Sequence, residues 1–87
     1  MNPDYNEIAA KYNLSVTVVQ HIAQAVALGN GQQAQFNHPE LGGMGQWMPG
    51  MIMIGDPFKH TLKAKVDALC HDLEKAYRSG ELSHISI

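Results

Sequence analysis

A chain of 87 residues with one cysteine, Lys+Arg 6 against Asp+Glu 8 and a net charge of −2 has few ways to be stable. So short a domain buries only about 60–65% of the surface its unfolded chain exposes, and Cys70 alone permits neither an intrachain disulfide nor a multi-cysteine zinc site, which leaves oligomerisation as the usual reinforcement. The charge balance argues against a broad phosphate-binding surface, and a polar, acidic N-terminus with no long apolar run predicts a cytoplasmic protein without signal peptide or membrane span.

The first predicted helix opens at Asn2, with Asn as N-cap, Pro3 at the first helical position and Asp4 in the first turn. Tyr5, Ile8, Ala9 and Tyr12 share its inner face. Asn13-Leu14-Ser15 interrupts the pattern, and Ser15 is placed to cap a second helix whose inner face is Val19, Ile22, Ala23 and Val26. The valines at 16, 18 and 19 favour strand by propensity, but the spacing that follows them is helical. Gly29-Asn30-Gly31 ends this pair, giving a helical section over residues 1–30.

Residues 31–56 change character. Five glycines, four methionines and the only tryptophan fall between Phe36 and Asp56, and glycine among large apolar residues marks turns, bulges or close backbone approach. Pro49-Gly50 suits the centre of a type II turn, so residues 46–48 and 51–54 are expected to form a small hairpin or, as the rival, a looser extended corner. Strand alternation sends Met51 and Met53 to one face and Ile52 and Ile54 to the other. An apolar strand of this kind wants cover on both faces, and a second subunit is one source of it.

Asp56-Pro57 repeats the opening device and predicts a long helix over residues 57–80. Leu62, Val66, Leu69, Leu73 and then Ala76 or Tyr77 form an apolar seam, Glu74 and Arg78 an i, i+4 ion pair, and Ser79-Gly80 the stop. The seam is too short for an isolated coiled coil and must pack on something. Residues 81–87 read either as a tail or as an edge strand given to a neighbour.

No catalytic residue is singled out. Cys70 and His71 are sequence neighbours and diverge on a helix, Cys70 reads as a small buried hydrophobe, and Gly42-Gly43-Met44-Gly45 lacks the lysine of a phosphate loop. No cofactor is implied. Met44 and Met48 with His38 nearby are a candidate copper(I) set, because thioethers select that ion, although gap-filling methionine is the commoner use. Ile8, Ala9, Asn13, Leu14, Val19 and Ile22 match a helix-turn-helix core, which would present Thr17, Gln20 and His21 to a major groove. Lys11 is the only cation in the first 58 residues, which speaks against DNA.

Phe36-Asn-His-Pro-Glu-Leu-Gly-Gly-Met-Gly-Gln-Trp47, Gly55-Asp56, Phe58 and Leu62-Lys-Ala-Lys-Val-Asp-Ala-Leu-Cys70 together resemble a family of small bacterial proteins, many labelled as containing a short C-terminal (SHOCT) domain. Leu73-Glu-Lys-Ala-Tyr-Arg-Ser-Gly-Glu-Leu-Ser83 resembles the first half of that short domain, without its second helix. The resemblance covers about residues 8 to 75, implies oligomerisation or protein interaction and names no catalytic residue.

The expectation is therefore a mostly helical α+β single domain over residues 1–87: a non-enzymatic homo-oligomer, at least a dimer, with another protein as a further partner. Its interface is expected to bury Trp47, Met48, Met51, Ile52, Met53, Ile54, Leu62, Val66, Leu69 and Leu73. A DNA-binding regulator and a copper(I) protein are the alternatives.

Overall fold

In the computed structural model, which describes residues 4–55 and 59–80, three helices and a three-stranded antiparallel sheet follow in the order α1 (Tyr5–Tyr12), α2 (Val16–Leu28), β1 (Ala34–His38), a 3-10 turn (Pro39–Leu41), β2 (Gly43–Met48), β3 (Met51–Met53) and α3 (His60–Arg78). The fold is α+β and mostly helical, as the periodicities predict. No helix among the described residues is long and apolar enough to cross a membrane.

The first helix starts later than expected. Asp4 is the N-cap, its carboxylate accepting from the backbone N–H groups of Asn6 (3.0 Å) and Glu7 (3.2 Å). A carboxylate there satisfies two orphan donors and opposes the positive helix end. Asn13 then takes the left-handed conformation (φ 54°, ψ 47°), and Leu14 N–H donates to Ala9 O at 2.9 Å. Ser15 Oγ accepts from Val18 N–H at 3.2 Å and opens α2.

Helix α2 is the spine of the molecule. Val18, Val19, Ile22, Ala23, Ala25, Val26 and Ala27 are all buried, so the helix is covered on more than one side, by α1, β1 and α3. At its end Asn30 is left-handed (φ 56°), and its side-chain Oδ1 accepts from Tyr77 Oη–H at 3.1 Å, which ties α2 to the last turn of α3.

The sheet has the order β1-β2-β3. Two residues, Pro49 and Gly50, connect the paired residues Met48 and Met51, and Gly50 has the positive φ (87°) that the third position of a type II corner requires. The expected hairpin is present. Its first strand is longer than residues 46–48, for β2 begins at Gly43 and pairs residue by residue with β1 from His38↔Gly43 to Ala34↔Trp47. Gly45 is the point of closest approach, where a Cβ would overlap the Phe36 ring and stand 2.6 Å from Met53 O.

Among the described residues α3 begins at His60, with Lys59 at the N-cap position making no side-chain hydrogen bond; the expected cap Asp56 and its Pro57 lie outside them, as do Asn2, Pro3 and residues 81–87. The seam packs as its spacing predicts, but on its own chain. Val66, Leu69 and Leu73 are fully buried in one core with α2 and the inner face of the sheet, flanked by Leu62 and Tyr77. Arg78 and Glu74 pair at 3.0 Å, and Gly80 ends the helix with φ 84°.

Candidate functional site

Cross-strand partners share a face, so the register sorts the sheet into two sides. Ala34, Phe36, Trp47, Ile52 and Ile54 face the helices. Gln35, Asn37, Met44, Gln46, Met48, Met51 and Met53 face away from them. Met44 is 77% exposed, Met53 57% and Met51 37%, and with Leu28 they are the exposed large hydrophobics among the described residues. Met48 is half-buried beside Met51, its direct partner.

Among the described residues that outer face carries no formal charge. From Tyr12 to Gly55 the only Asp, Glu, Lys or Arg is Glu40, in the 3-10 turn. Charges collect on the other half of the molecule. Lys11 Nζ lies 3.0 Å from Asp72 Oδ2, which also accepts from the Tyr12 hydroxyl, so α1 is bolted to α3. Burial pushes the Asp72 carboxyl up, but the hydrogen bonds from Tyr12 and Lys11, then the charges of Lys11 and Lys75, outweigh it and hold the group below its usual range. Lys11 is raised, first by its bond to Asp72; Tyr12 is raised, first by burial and then by the same carboxylate.

A second polar line runs along α3. Asp67 Oδ1 accepts from the buried Trp47 indole at 3.1 Å, and the His71 ring stands edge-on to that indole with centroids 5.6 Å apart. His71 lies 3.6 Å from Asp67 and 3.8 Å from Glu74, too long for hydrogen bonds. Sequence reasoning missed this line, although a lone tryptophan in a short apolar strand always needs an acceptor for its N–H.

The expected interface residues divide. Trp47, Ile54, Val66, Leu69 and Leu73 are buried within one chain and present no surface to another, because α3 folds back over the sheet and satisfies the seam internally. Ile52 and Leu62 pack partly against the same core. Met48, Met51 and Met53 remain on the open face, where Met44 joins them.

The caps and core expected of a helix-turn-helix are present, and its three expected readers differ in their surroundings. Thr17 and Gln20 are exposed, with Thr17 Oγ1 3.0 Å from Ser15 Oγ. His21 Nε2 accepts from the Asn37 N–H at 3.1 Å, so β1 occupies the side chain expected to meet a base. The nearby cation, Lys11, is held by Asp72.

The thioether set does not converge. Met44 and Met48 share the outer face, whereas His38 has the opposite parity, and its Nδ1 accepts from Glu40 N–H at 3.1 Å. An acceptor Nδ1 puts the proton of a neutral imidazole on Nε2, which leaves no free lone pair for a metal. Among the described residues no three His, Cys, Asp or Glu side chains gather into a metal-binding group. Cys70 is fully buried, and burial, with the charge of Asp67 second, pushes its thiol well up, away from nucleophilic use.

No family model, curated protein or solved structure matches the chain. The likeness to the short C-terminal domain proteins rests on its residues alone.

Proposed function

We propose that this protein is a non-enzymatic self-association module that assembles through its sheet. The carrying observation is the outer face, free of formal charge among the described residues, on which Met44, Met51 and Met53 stand exposed while most of the described Asp, Glu, Lys and Arg side chains sit on α1 and α3. Depletion of charge with enrichment of methionine is what the core of a protein interface shows. An uncharged face also suits a second copy of itself, since apposing two of them brings no like charges together. Nucleic acid and anionic membrane find no cations there among the described residues. The resemblance to the short C-terminal domain proteins, read as interaction modules, points the same way.

Absolute solution mass by light scattering on a sizing column, over a range of concentration and salt, tests the reading. A mass above that of one chain, lowered by Met44→Glu, supports it. A monomer across the whole range sinks it.

A further inference from the structure

The two edges of the sheet are not equivalent. Opposite residues in an antiparallel ladder alternate between exchanging backbone hydrogen bonds with each other and turning those groups outward. Met48 and Met51 flank a two-residue turn and so form a bonded pair; by alternation Trp47↔Ile52 is non-bonded and Gln46↔Met53 bonded. Carried across β2, the same alternation makes Ala34↔Trp47 bonded and Asn37↔Met44 non-bonded, which turns the Asn37 N–H out of the sheet. There His21 Nε2 meets it at 3.1 Å, in the place where the carbonyl of a further strand would sit. His21 of α2 thus caps the Asn37 N–H of the β1 edge, while by the same alternation the Gln35 N–H and C=O also turn outward, beside Ala25 and Leu28.

The β3 edge has no such cap among the described residues. The N–H and C=O of Ile52 point away from β2, and no backbone or side-chain hydrogen bond from the described residues reaches them. Nor does Met51-Ile52-Met53 carry the lysine, proline or bulge with which natural edge strands are kept apart; its protection is its brevity. Three residues give few backbone bonds, so a partner has to add side-chain contact, and the methionines on either side of Ile52 supply it.

We infer that β3 pairs antiparallel with β3 of a second copy, about a two-fold axis that runs perpendicular to the sheet midway between the two Ile52 residues. This rests on the self-association reading above and specifies its geometry. Ile52 exchanges two backbone hydrogen bonds with its own counterpart, and Met51 of each copy stands opposite Met53 of the other. The strands run β1-β2-β3-β3-β2-β1, with the two methionine faces continuous on one side and the helices on the other. Because the contact is two-fold, each β3 edge is used up by its counterpart and pairing through β3 closes at two subunits.

Charge placement tests the register. Positions 51 and 53 are solvent-facing, so substitutions there leave the core untouched, which the buried Trp47 emission and far-ultraviolet circular dichroism verify. Met51→Lys with Met53→Lys, and separately Met51→Glu with Met53→Glu, set like charges opposite each other across the axis; Met51→Glu with Met53→Lys sets opposite charges there. The expected result is a wild-type dimer, monomers for both like-charged pairs at low salt, and a dimer restored for the mixed pair. A wild-type protein that associates while all three double variants dissociate alike overturns edge pairing and leaves association through the sheet face standing. Assemblies larger than a dimer also overturn it. A wild-type monomer overturns both.

Discussion

The indole of Trp47 in β2 and the carboxylate of Asp67 in α3 are joined at 3.1 Å, a hydrogen bond between the middle strand and the helix that covers it. Trp47 is fully buried and Asp67 only half, so the pair sits at the boundary of the core with its acceptor end wet. The bond satisfies a donor that has no other partner among the described residues and fixes how α3 lies on the sheet.

Asp67→Ala is therefore expected to cost about 1–3 kcal/mol, the penalty of leaving a buried N–H unpaired. Asp67→Asn, which keeps an acceptor oxygen, costs less. Urea midpoints followed by Trp47 fluorescence measure both, and an Asp67→Ala variant as stable as the parent would show that water replaces the carboxylate without loss.

The Lys11–Tyr12–Asp72 cluster gives stability a defined pH window. Asp72 is held below its ordinary value of 3.8, so its contribution is present above that value and is lost as pH falls through its folded-state pKa. Lys11 and Tyr12 are raised above 10.5 and 10.0, so theirs is present below those values and disappears only in strong base. Asp72→Asn should destabilise by about 1 kcal/mol at neutral pH, the worth of the Tyr12 bond to a charged acceptor after solvent screening. The gap between variant and parent should narrow below pH 3.8. A gap that stays constant down to the acid transition would mean that the charge of Asp72 is not what the bond uses.

Gly45 faces the Phe36 ring and Met53 O so closely that a methyl group cannot enter without moving one of them. Gly45→Ala is expected to cost about 1–3 kcal/mol by overpacking. Thermal unfolding compared with Gln46→Ala, whose side chain lies on the outer face, separates this steric cost from a general loss of strand propensity.

Much of this architecture was legible one residue at a time. Ser15 as a cap, Asn13 in the left-handed region and Pro49-Gly50 as a hairpin corner are local chemistry, and local chemistry survives whatever tertiary structure surrounds it. The strand through Gly43, Met44 and Gly45 was not legible, since glycine weakens strand propensity and its reason here, the Phe36 ring, lies across the sheet. Periodicity marked Val66, Leu69 and Leu73 as an apolar seam without saying what covers it, which is how core residues came to be expected at an interface. The contact of His21 with Asn37 was hidden for the same reason: a position on an isolated helix says nothing of the strand that α2 meets.

The placement of that seam has its own test. Leu69 and Leu73 are fully buried within one chain, so Leu69→Ala should cost about 2–5 kcal/mol through lost burial and the cavity left behind. If the seam lay between subunits, part of that loss would appear as weakened association, and the unfolding midpoint of the variant would depend on protein concentration more steeply than that of the parent. For a seam packed on its own sheet, the concentration dependence of parent and variant is the same, and only the midpoint falls. Leu28→Ala serves as the control, for Leu28 is 62% exposed at the end of α2 and its removal leaves no cavity. Urea denaturation at two widely separated protein concentrations distinguishes the cases, and a Leu69→Ala midpoint that recovers at the higher concentration beyond the parent's own shift would return the seam to the interface.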